Sequence, residues 1–127
     1  RHNLAHLLRA AQEGIAFAFR YGVDIMRESG LRAGVIRAGH ANLFLSPLFR
    51  STLATLCDAN IELYNTDGAL GAARGAALGA GLYRNRNEAF ASLRRIEEVH
   101  PDPAIRQVLE ETYQIWKKEL QLQLENQ

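Results

Sequence analysis

An α/β fold is what this sequence predicts, and three observations carry it: a short β-branched segment at residues 35–38, an apolar helical period from 46 to 58, and a second short strand at 61–64. Strand, helix and strand in that order form a unit with parallel strands and a right-handed crossover. Amphipathic helices are expected on both sides of it.

The first helix is expected from Asn3 to Ser29, because Leu4, Leu8, Ala11, Ile15, Phe19, Val23 and Met26 recur in steps of three and four and form one stripe. Gly30 closes it. Val35-Ile36-Arg37-Ala38 reads as a buried strand running into the turn Gly39-His40-Ala41-Asn42. Ser46-Pro47 then supplies a capping hydroxyl and a first-turn proline for the next helix, whose core face is Phe49, Leu53, Leu56 and Cys57. Asn60 is its expected left-handed terminator before the strand from Ile61 to Tyr64.

Beyond Asn65-Thr66-Asp67-Gly68, five of the ten glycines fall between Gly68 and Gly81, with alanine in most gaps. A glycine inside a helix costs about 1 kcal/mol against alanine. Gly71, Gly75 and Gly79 on one stripe therefore predict close backbone approach to a neighbour. Asn87 is expected to cap a short helix through Arg95, and His100-Pro101-Asp102-Pro103 is a stop followed by a new cap. The last helix carries Ile105, Val108, Leu109, Thr112, Ile115, Trp116, Leu120 and Leu124 as its stripe. About five helices against two strands is more helix than the sheet can receive, so the chain reads as part of a larger α/β domain.

At 127 residues the chain has room for one core. With 47% hydrophobic and 23% charged residues it matches neither a disordered tail nor a membrane protein. Fifteen basic residues against fourteen acidic give a charge of +1, so no whole-chain field favours nucleic acid or anionic lipid. One cysteine, Cys57, excludes an internal disulfide and fits a reducing compartment, with the cytoplasm as the expectation. The chain opens on Arg1 without a signal peptide's order of segments or an initiator Met, and looks cut from something longer.

His2 and His6 stand four apart, a spacing able to set two imidazoles on one metal, but no third ligand has matching spacing and no metal site is assigned. His6 and Glu13 could equally form a polar seam. The glycine run lacks the Lys-Ser/Thr ending of a phosphate loop. Ser29, Ser46, Ser51 and Ser92 have no nucleophile motif, Cys57 sits on an apolar face, and Asp24, Asp58 and Asp67 lie in unrelated contexts, so no catalytic set emerges. Arg84, Arg86, Arg94 and Arg95 are interleaved with Glu88, Glu97 and Glu98, as on a solvated surface. The turn from Gly39 to Ser46 is more informative, because open α/β sheets bind ligands outside the carboxyl ends of their strands.

Three segments in this order resemble the C-terminal domain of the FGGY carbohydrate kinases, sugar kinases of the actin-like ATPase (ribonuclease H-like) fold. His6-Leu7-Leu8-Arg9-Ala10-Ala11-Gln12-Glu13-Gly14-Ile15-Ala16-Phe17 is similar to the latter half of the family signature, with Gln12 at a usually apolar position. Val35 to Asn42 followed by Ser46-Pro47-Leu48-Phe49-Arg50 resembles the family's strand, glycine turn and helix start, with Ala38 and His40 where glycines are usual and Leu43-Phe44-Leu45 as an insertion. Asp67-Gly68-Ala69-Leu70-Gly71-Ala72-Ala73 is like the family's Gly-Ala-Ala-Leu-Gly-Ala-Ala helix beside the nucleotide.

The resemblance implies an ATP- and Mg2+-dependent transfer of the γ-phosphoryl group to a sugar hydroxyl, with the xylulose kinases most similar and D-xylulose the sugar. It also implies a catalytic aspartate upstream of residue 1, leaving this piece inactive alone, with a missing N-terminal domain as its partner and a second copy as a further candidate. Residues 1–100 would form the nucleotide-side core and 101–127 the terminal long helix. The nucleotide contacts implied are Gly39, His40, Ala41, Asn42, Ser46, Gly68 and Gly71. The competing reading is a non-enzymatic helical module that docks a partner through Trp116, Leu120 and Leu124. A kinase segment should leave a sheet edge open next to Val35–Ala38, whereas a docking module should bury its own core and leave one apolar patch.

Overall fold

A computed structural model describes residues 2–126. In chain order the elements are α1 (Leu4–Glu28), β1 (Val35–Gly39), a 3-10 turn (Asn42–Leu45), α2 (Pro47–Cys57), β2 (Asn60–Tyr64), α3 (Gly68–Gly79), α4 (Arg86–Ala89), β3 (Arg95–Val99) and α5 (Pro103–Glu125). β1 and β2 are parallel with Val35 opposite Asn60, as a strand–helix–strand unit requires.

The sheet differs from expectation in its third member. β3 lies antiparallel to β2, with Ile61 opposite Val99; it begins at Arg95, where the expected short helix ends, and runs over residues 96–99, to which the sequence assigned no element. The short helix is a single turn capped by Asn85, not a longer one capped by Asn87. Arg95-Ile96-Glu97-Glu98-Val99 hid its strand because it is an edge, and edges carry charge in place of an apolar alternation. Arg95 pairs with Glu62 (3.1 Å), and Glu97 receives a hydrogen bond from Arg50 (2.9 Å).

α2 is the buried centre. Phe49, Leu53, Leu56 and Cys57 are all in the core, as its period predicted, and they meet Ile61 and Leu63 from β2. Burial pushes the Cys57 thiol up to about 11, which makes it a core residue and no nucleophile at neutral pH. The helix ends at Asp58, whose φ of 48° is left-handed; Asn60, expected in that role, is already the first residue of β2.

α1 forms as predicted, opened by Asn3 and closed before Gly30 (φ 83°), but it faces the core with a different side. Ala16, Phe17 and Val23 are buried, whereas Leu4, Leu8, Ile15, Phe19 and Met26 of the expected stripe are exposed. The helix is apolar on two sides, and only one has a partner among the described residues. The exposed side forms a shallow groove of about 720 Å³ along Ala10, Gly14, Ala18 and Gly22. His6 is taken up in the helix cap, its Nδ1 accepting from the Asn3 N–H, and Glu13 pairs with Arg9 at 2.7 Å, so no His6–Glu13 seam exists. The His2 and His6 rings stand 5.7 Å apart, edge to face.

The glycine helix α3 also departs from expectation. It has no buried residue, and nothing lies within 4 Å of a Cβ placed on Gly71, Gly75 or Gly79, so no neighbour among the described residues explains the stripe. On α5, Leu109 and Tyr113 are buried and Ile105 and Trp116 pack against the core, while Val108, Ile115 and Leu124 are exposed. Trp116 stacks on Tyr113 (centroids 6.1 Å) and packs on Phe17 (6.0 Å). The competing helical module thereby loses its aromatic anchor to the core.

One polar cluster ties α1, α2 and α5 together. Arg20 donates to Asp24 (2.8 Å) and to the Leu56 carbonyl, Arg27 donates to the Cys57 carbonyl, and the Tyr113 hydroxyl donates to Asp24 (2.8 Å). Burial alone would raise the Asp24 carboxyl, but the hydrogen bonds from Arg20 and Tyr113 outweigh it and hold Asp24 below its ordinary range. Its stabilisation is therefore present above the unfolded value and lost as the pH falls through the lower folded one. Tyr113→Phe is expected to cost about 1–2 kcal/mol in thermal or urea unfolding at pH 7. Asp24→Asn should also be less stable than the parent at pH 7, and the gap should narrow as the pH falls below about 4.

Candidate functional site

The carboxyl ends of β1 and β2 lie side by side, since Gly39 is in register with Tyr64. There the chain leaves β1 through a tight turn. His40 N–H donates to the Tyr64 carbonyl (2.9 Å), Ala41 N–H to the Gly39 carbonyl (2.9 Å), and Asn42 takes a left-handed φ of 52° that asparagine tolerates. Gly39 is required by contact. A Cβ on it would collide with the Thr66 carbonyl oxygen and approach Asp67 Cα to 3.3 Å, so only glycine lets the two loops touch.

A cavity of about 230 Å³ opens beside this contact. Gly39, Ala41, Asn42 and Gly68 of the seven anticipated residues line it. His40, Ser46 and Gly71 do not. His40 is exposed, Gly71 lies one turn up α3, and the Ser46 hydroxyl is committed, accepting from the Phe49 N–H (3.3 Å) and donating to Gln12 (2.7 Å). Gln12, at a position usually apolar in the resemblance, thus has a partner that fixes the start of α2.

The sequence reading missed the rest of the lining: Phe19, Leu43, Phe44, Phe49 and Asp67. Phe44 meets Phe49 edge to face (5.5 Å), and Phe49 meets Phe19 likewise (6.3 Å). Phe19 had been assigned to the core stripe, and Phe44 belongs to the apparent insertion, which folds as the 3-10 turn and supplies a wall. Arg50 fastens that wall from beneath. Buried in α2, it donates from Nη1 to the Phe44 carbonyl (3.3 Å) and to Glu97 of β3 (2.9 Å). Asp67 caps α3, its Oδ1 accepting from the Leu70 N–H (2.8 Å), and Arg74 donates to the neighbouring Thr66 hydroxyl (2.7 Å).

The lining combines three phenylalanines with an asparagine and an aspartate, a composition suited to a planar ring that carries hydrogen-bonding groups. Complete small-molecule sites run to roughly 300–1,000 Å³, so this cavity is the size of part of one. Among the described residues no three His, Cys, Asp or Glu side chains converge to hold a metal ion. No described helix is long and apolar enough to cross a membrane.

The open edge that separates the two readings is present, because β1 pairs only with β2 and its other edge has no strand among the described residues. No family model matches the chain. Over 118 residues it is 33% identical to the L-xylulose/3-keto-L-gulonate kinase of Escherichia coli (strain K12), an alignment covering 89% of this chain and 23% of that protein. Its fold is similar to the crystal structure of xylulose kinase from Rhodospirillum rubrum, with a TM-score of 0.71 and 28% identity over 92% of this chain and 24% of that one. The chain spans about a quarter of the length of each of these relatives. In sequence and in fold the chain is thus similar to carbohydrate kinases, with the helix-rich architecture and small mixed sheet of the actin-like ATPase fold, and both likenesses support a match to the C-terminal part of such kinases.

Proposed function

We propose that this segment forms the adenosine side of the nucleotide site in an FGGY-type, ATP-dependent sugar kinase that phosphorylates a xylulose-like sugar. What supports the reading is one observation: four residues of the glycine-turn and glycine-helix motifs, 26 positions apart at their nearest points, line a single aromatic cavity outside the carboxyl ends of two parallel strands. The two relatives, named as kinases of L-xylulose or 3-keto-L-gulonate and of xylulose, support the sugar class.

In this reading the chain's own residues bind and orient. The Gly39 and Ala41 backbone lets the purine lie close to the turn, the Asn42 amide meets its edge, and Phe44 and Phe19 exclude water from its faces. His40, Ser46 and Gly71 then act at a distance, the serine by holding the start of α2. Mg2+, when bound with ATP, neutralises phosphate charge. The resemblance assigns the base and the metal ligands to other parts of such a kinase, and the segment by itself is expected neither to phosphorylate xylulose nor to hydrolyse ATP.

Titrating the full chain with adenosine and ATP while following backbone amide NMR signals should move resonances at residues 39–44 and 66–68. Saturating adenosine with no response in those loops would reject the reading. Two glycine variants give a second check. Gly39→Ala should cost about 1–3 kcal/mol of stability and abolish the adenosine response, because the new methyl group meets backbone. Gly75→Ala, in the open interior of α3, should leave binding unchanged and stabilise by up to about 1 kcal/mol.

A further inference from the structure

Asp67 is the one acidic side chain on the cavity wall, and the nucleotide contacts inferred above leave it without a role. Its Oδ1 is used by the Leu70 N–H (2.8 Å), whereas its Oδ2 accepts no hydrogen bond and makes no ion pair among the described residues. The side chain is also held in place. The Asp67 backbone lies against Gly39 at the loop contact, its carboxylate is oriented by the cap, and the residue lines the cavity together with Asn42 and Phe44.

We propose that Asp67 is a specificity-determining residue that reads the ribose hydroxyls of the bound nucleoside. The proposal rests on the nucleotide reading of this cavity and assigns its polar end. An ionised carboxylate only accepts hydrogen bonds, so whatever group faces it must donate. A vicinal diol donates through either hydroxyl. A phosphate offers acceptors and negative charge and is repelled, which turns the nucleoside so that its base enters between Phe19 and Phe44, its ribose meets Asp67, and its phosphates point away from the carboxylate. Hydrogen bonds to a charged acceptor are among the stronger ones, and losing one selectively discriminates between ligands that differ by a hydroxyl.

The test compares adenosine with 2′,3′-dideoxyadenosine on the full chain and on Asp67→Asn, with affinities read by ligand-observed NMR. Asparagine caps a helix as well as aspartate, so the variant keeps the fold and loses the charged acceptor. The parent should favour adenosine by about tenfold, and in Asp67→Asn that preference should shrink to about twofold while the dideoxynucleoside binds as before. A tenfold preference that survives in Asp67→Asn, or a parent with no preference, overturns the role of Asp67 and leaves the nucleotide reading standing. A parent that binds neither nucleoside, or in which xylulose occupies the cavity instead, overturns both.

Discussion

A buried helix end must find partners for its last carbonyls, and α2 is a helix buried at its C-terminal end. Two arginines on α1 supply them. Arg20 reaches the Leu56 carbonyl and Arg27 the Cys57 carbonyl, positive charge placed where the helix dipole is negative. Asp24 lies between the two guanidinium groups and neutralises part of their charge, and Tyr113 of α5 donates into the same carboxylate. These part-buried charges are each answered by a partner, and the shared contacts tie three helices together.

The same pair of helices is fixed again at the other end. Gln12 of α1 accepts from Ser46, the residue that caps α2, while Arg50 in the first turn ties α2 to the Phe44 carbonyl and to β3. α1 is therefore registered along α2 at both termini of the shorter helix. Phe19 lies between those two anchors, which is why a residue of the first helix arrives at a cavity formed by the turn after β1. The position of the cavity wall is in this sense a consequence of the polar clamps at either end of α2.

Local signals carried most of what the sequence made legible. Ser46-Pro47 fixed the start of α2, the spacing of Phe49, Leu53, Leu56 and Cys57 fixed its face, and the motif residues Gly39, Ala41, Asn42 and Gly68 do come together. What was hidden depends on neighbours distant in sequence. β3 owes its strand state to pairing with β2 more than 30 positions earlier, and its charged residues gave no apolar alternation. The orientation of α1 was illegible because both its sides are apolar, so period alone could not choose between Phe17 and Phe19 as the buried one. Asp67 was passed over because in sequence it stands in a loop, in a context unrelated to the other aspartates; only the fold shows that it caps α3 with one carboxylate oxygen of two.

The surface that remains has a consistent character. α1 presents an apolar face over much of its length, β1 leaves one edge unpaired, and α3 is a helix of glycine and alanine that buries nothing of its own. Each feature is costly in water: exposed apolar area, open strand hydrogen bonds and helical glycine all weigh against the folded state. The chain spans about a quarter of the length of each of these relatives, and the three surfaces are the places where a further contact would offset these costs. The cavity fits the same pattern, with aromatic rings and backbone on one side and little charge. Base and ribose recognition needs only flat apolar faces and a few fixed dipoles, whereas phosphoryl transfer needs concentrated charge, so the two tasks separate naturally onto different stretches of chain.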